Sequence, residues 1–129
     1  MRWNADIGSL RAEMAQYQAY RAVLETEIAR INAILAMHDG FPGWPAFCKG
    51  YLEDVRLRQI ERECATRIGE SDSIRTRLSG QRDEILFLIQ SKSELSRNKD
   101  VATANINAVD EKIAKLNKKI ERASNARTG

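Results

Sequence analysis

Between Trp3 and His38, a count that steps alternately four and three residues lands on Trp3, Ile7, Leu10, Met14, Tyr17, Arg21, Leu24, Ile28, Ile31, Leu35 and His38. Only Arg21 and the terminal His38 interrupt the apolar series. A period of 3.5 held over several heptads is the signature of a coiled-coil seam. The intervening positions are mostly Ala, Glu, Arg and Gln, which favour helix. The pattern predicts a first helix over 3–38. It closes at "HDG", where Gly40 is able to take a left-handed conformation and Pro42 and Pro45 forbid continuation. Residues 39–44 are therefore expected to form a Gly/Pro bend.

The same stepping resumes downstream. Leu57, Ile60, Cys64, Arg67, Ser71, Ile74, Leu78, Gln81, Ile85, Leu88, Lys92 and Leu95 follow it, as do Lys99, Ala102, Ile106, Val109, Ile113, Leu116 and Ile120. Register kept over this length predicts a long helix, or helices, across 45–122. The seam is weakest at two places. Gly69 offers a stop and Ser71 an N-cap in "IGESDS", and Asp100 offers an N-cap in "SRNKDVAT". Breaks are expected near 69 and near 100, and a disordered tail over 123–129.

Length constrains how these pieces combine. The first helix spans roughly 50 Å and an unbroken second arm roughly 115 Å at ~1.5 Å per residue. A simple hairpin would leave half of the second arm unpaired, yet that half carries Ile106, Val109, Ile113, Leu116 and Ile120. An isolated helix with an exposed apolar stripe is unstable in water. The stripe is thus buried by fold-back within the chain or by another chain. The expected fold class is all-α: one coiled-coil domain, an elongated helical hairpin or long-helix bundle, with a third, fold-back helix as one of its forms.

Composition agrees with long helices. Charged residues make up 30% of the 129-residue chain and aromatics 6%, which disfavours a sandwich or an α/β enzyme. The densest apolar run, "ILFLI" at 85–89, falls far short of the ~18 residues of a membrane span. "MRWNADIGSLRAE" lacks the apolar segment of a secretory signal, so a cytoplasmic location is expected. Cys48 and Cys64, on one helix, would stand roughly 24 Å apart, too far to bridge.

Candidate chemistry is sparse. His38, Asp39 and Cys48 offer the residue types of a metal loop or a Cys/His nucleophile, but no CxxC or HxxxH spacing accompanies them. A capping histidine and a buried thiol are the plainer expectation. "GESDS" lacks the GxSxG of a nucleophile elbow, and no P-loop or GxGxxG occurs. No enzymatic activity, cofactor or metal is expected.

Two features point to protein partners. Trp44, Phe47 and Tyr51 lie at i, i+3 and i+7, with Leu52 and Val55 beside them, on one face of a helix that opens at Pro45. Such aromatics either cap the first helix or anchor a partner interface. From Lys92 onward there are nine basic and five acidic residues. Lys112, Lys115, Lys118 and Lys119 form a solvated flank or face an acidic protein. A nucleic-acid role would call for stacking aromatics, and none follows Phe87.

Two heptad-rich arms, a bend, the Gly43–Trp44 step in "GFPGWPAFCKGYLEDV" and a Lys-rich end together resemble the FliJ/YscO-like family. These are stalk proteins of flagellar and type III secretion export ATPases. The resemblance implies a bacterial, non-enzymatic coiled-coil stalk or adaptor in protein transport. It implies that Trp44, Phe47, Tyr51 and Leu52 face an export gate, while Lys112, Lys115, Lys118 and Lys119 lie near the export ATPase. The first arm is shorter than a symmetric hairpin of that kind requires. Two other readings compete: a phage- or plasmid-type helical assembly protein acting as a homo-oligomer, and a nucleic-acid binder using the basic C-terminal helix.

Overall fold

The computed structural model describes the backbone of residues 2–67 and 69–128, and the side chains of 7–67 and 69–126. Trp3, the first seam position, has its side chain outside the described residues. The fold is all-α, and no strand occurs among the described residues. Helix α1 spans Arg2–Gly40. Helix α2, Trp44–Phe47, passes directly into a π-helical segment, Cys48–Leu57, and then into α3, Arg58–Thr66. Helices α4, Asp72–Leu88, and α5, Lys92–Thr128, complete the chain.

The turns correct several expectations. Helix α1 ends without a left-handed residue: Phe41 N still donates to Met37 O at 2.9 Å, and Gly40 has no positive φ. Pro42 terminates it by excluding helical geometry at the residue before it. The break near 69 is present, with Gly69 at φ 94° and Ser71 at the N-cap of α4. The break expected near 100 is not there. Asp100 lies inside α5, and the turn falls at 89–91 instead. Ser91 precedes α5 as its N-cap, its Oγ accepting from Glu94 N at 3.2 Å. That is half of a capping box, S-x-x-E, with no glycine or proline to mark it. At the other end, the tail expected to be disordered is helical through Thr128, and Ala123 is buried. Gly129 lies outside the described residues.

The chain divides into two compact units. The first comprises residues 1–31 and 97–129. Here α1 and α5 run antiparallel: Tyr17 meets Lys112, Arg21 meets Asp110, and Tyr20 and Leu24 line one groove with Val101 and Ala102. Its core is Ile7, Met14, Leu24 and Ile31 against Ala102, Val109, Leu116 and Ala123. The α5 residues recur every seven positions, while Ile106, Ile113 and Ile120 between them are half-buried. Of the C-terminal stripe, the chain itself therefore buries Val109 and Leu116 and covers Ile106, Ile113 and Ile120 only in part.

The second unit comprises residues 32–96. Ile60, Leu78 and Ile85 form its core, with Leu52, Leu57, Ile74 and Ile89 packed around them. The π-helical segment and α3 both pack on α4. The π geometry has a reason in the sequence. Cys48, Leu52, Leu57 and Ile60 all turn inward. From Cys48 to Leu57 is nine residues, two and a half turns of α-helix at ~3.6 residues per turn, which would set them on opposite sides. The wider i→i+5 winding brings them back to one face.

Candidate partner-binding site

The expected aromatic face divides in two. Trp44 and Leu52 are half-buried, while Phe47 and Tyr51 are 47% and 50% exposed. Their rings stack, with centroids 5.3 Å apart and planes inclined by 21°. Trp44 lies 5.7 Å from Phe47 on the inner side. Val55 continues the outward row one turn on and is also exposed. From the end of α2 into the π-helical segment a step of four keeps Phe47, Tyr51 and Val55 adjacent, so the winding that buries Cys48 and Leu52 presents the other three as a stripe. Phe41, in the turn before α2, is 62% exposed.

Beside this stripe lies an open groove of about 270 Å³ between the π-helical segment and α4. Its walls include Tyr51, Leu52, Ile85 and Leu88, with Arg56 and Glu84 among its polar members. Arg56 and Glu84 went unnoticed in the sequence, and Gln81 was read only as a seam position, because they join the site only when α4 folds back. One signal was available: the one-residue phase slip between the apolar set at 44–52 and the seam that starts at Leu57.

His38, Asp39 and Cys48 do not converge on a common point. Each ties down the α4–α5 turn. His38 Nε2 lies 3.3 Å from Gln90 O, Lys92 Nζ donates to Asp39 Oδ1 at 2.6 Å, and Cys48 Sγ donates to Leu88 O at 3.6 Å. Burial pushes the Cys48 thiol above its ordinary value, the opposite of what an activated nucleophile needs. Among the described residues no group of three His, Cys, Asp or Glu side chains is placed to hold a metal ion.

Lys112, Lys115, Lys118 and Lys119 are all exposed and belong to the first unit, whereas the aromatic stripe belongs to the second. Lys112 Nζ lies 5.8 Å above the Tyr17 ring, at the outer limit of a cation–π contact. Among the described residues no helix is long and apolar enough to cross a membrane.

Fold and surface together define a class: an all-α protein of paired helices with an exposed, stacked aromatic stripe. No family model, curated protein or solved structure matches this chain.

Proposed function

We propose that this protein is a non-enzymatic helical adaptor that engages a protein partner through Phe47, Tyr51 and Val55. The observation that carries this reading is the exposed Phe47–Tyr51 stack. Two large rings held against each other on a helical segment have already lost most of their rotamer freedom, so a partner covers them at little further entropic cost. Exposed aromatics next to an apolar groove are what interface hot spots are built from.

The particular partner we propose is an export ATPase complex of type III secretion, for which the protein is a stalk or adaptor. Its support is the pattern resemblance to the FliJ/YscO-like family together with the antiparallel pairing of α1 and α5 in the first unit. The experiment is capture of the export gate and the export ATPase by purified protein, with and without Phe47→Ala, Tyr51→Ala and Val55→Ala combined. Loss of gate capture with helix content retained is the expected result. Unchanged capture by the triple variant removes the aromatic stripe from the reading. No capture of either component by the wild type removes the secretion partner.

A further inference from the structure

A row of charge runs along α5 in the first unit. Lys112, Lys115, Lys119 and Arg122 step three, four and three residues, so heptad geometry sets them along one flank, beside the buried Val109–Leu116–Ala123 line. All four are exposed, and none enters an ion pair among the described residues. Glu121 falls off the row, and Glu111, one turn before Lys115, borders it. The same stepping, followed toward the start of α5, passes Ala108 and Asn105 and reaches Val101, which is 55% exposed. There the row opens into a groove of about 230 Å³ shared with α1, where Tyr20 and Val23 are also exposed. One flank of the helix pair is thus apolar at one end and basic at the other.

We propose that an acidic amphipathic helix of a protein partner lies along this flank as a third helix against α1 and α5. Its apolar turn would enter the Tyr20–Val23–Val101 groove, and its carboxylates, at the same three-four spacing, would meet the four cations. The charge row selects an anionic partner. The apolar half selects protein over nucleic acid, because a phosphate backbone has nothing to place against Val23 and Val101, and Glu27 in the groove wall repels it. From Val101 to Arg122 the flank is ~32 Å long, which matches about six turns of helix. This proposal rests on the adaptor reading but uses a different surface.

The test uses the full-length protein and a synthetic helical peptide of about 21 residues. Leucines occupy one end of one face and glutamates at three-four spacing the other. Fluorescence anisotropy should show binding that weakens at least tenfold on combining Lys112→Glu, Lys115→Glu, Lys119→Glu and Arg122→Glu. A peptide with lysines in place of the glutamates should bind that variant, so a folding defect cannot mimic the result. Val101→Glu should weaken binding of the original peptide as well. The proposal is overturned if the wild type does not bind the peptide, or if charge reversal leaves binding unchanged. It is equally overturned if a short DNA duplex binds and the peptide does not, or if sedimentation shows a dimer that the charge reversal dissociates. The triple alanine variant of the aromatic stripe should bind the peptide normally. Loss of peptide binding alone therefore leaves the adaptor reading standing.

Discussion

Arg21 reaches across the first unit to Asp110, its Nε donating to Oδ1 at 2.7 Å while its other end pairs with Glu25 on its own helix. Arg21 is the polar interruption in an otherwise apolar seam, and the structure gives it two carboxylates. The Asp110 hydrogen bond, with the charges of Asp110 and Glu25, holds the guanidinium pKa above its ordinary value. A polar residue at a seam position costs stability and fixes register. Here it distinguishes the observed antiparallel register from one slipped by a heptad, in which Arg21 would face no carboxylate from α5.

Asp110→Asn should lower the melting temperature slightly at low salt and not at all at about 1 M, where the Debye length shrinks to ~3 Å. The pair is partly exposed, so only a small effect is expected. A salt-independent loss would show that Asp110 acts through something other than its charge.

Burial along α5 alternates, and substitutions should follow it. Val109 is 5% exposed, whereas Ile113 is half-buried. Val109→Asp forces a charge into the seam and should cost on the order of several kcal/mol, enough to unfold the helix pair. Ile113→Asp can turn its carboxylate toward water and should cost less. Thermal melts of the two variants side by side decide this. Equal losses would mean that both positions are covered, as they would be by a second chain.

The glycines separate by backbone geometry. Gly80 lies within α4, exposed, with nothing within 4 Å of an added Cβ. Gly80→Ala should stabilise by about 0.5–1 kcal/mol. Gly69 also has open space around it, but its φ of 94° is strained for any L side chain. Gly69→Ala should destabilise by about 1 kcal/mol or more despite the room. Denaturant midpoints measured on both variants would show opposite shifts.

The two thiols should differ sharply in reactivity. Cys64 is exposed, while Cys48 is 4% exposed. Iodoacetamide at neutral pH should modify Cys64 in the native protein and reach Cys48 only on unfolding, as followed by mass spectrometry. Because the folded state holds the Cys48 proton more tightly, its contribution to stability is constant below the ordinary thiol value near 9.0 and falls as pH rises above it. Cys48→Ala should remove that part of the alkaline destabilisation.

The sequence by itself determined the helices and their apolar faces. The four-three stepping found the buried line of α5 from Leu95 to Leu116 and most of the α1 core, because heptad spacing is a local property of one helix. It also located the stop at Gly69, where a single residue type fixes the backbone. Three features were decided only by the tertiary fold. The turn at 89–91 has no glycine or proline, and the four-three spacing runs through it from Leu88 to Lys92 and Leu95. It forms because His38, Asp39 and Cys48, some 40 to 50 residues earlier, supply partners for the turn. The π winding at 48–57 turns both Cys48, whose thiol meets Leu88 O, and Leu57, which packs on the Ile60–Leu78–Ile85 core, toward α4, a demand visible only once α4 packs there. The split of the aromatic face, with Trp44 and Leu52 inward and Phe47 and Tyr51 outward, follows from that winding. An α-helical wheel places all four together. Local periodicity tells which residues seek burial, but which neighbour buries them depends on contacts between segments far apart in the chain, and that neighbour sets the pitch of the helix and the side left to solvent.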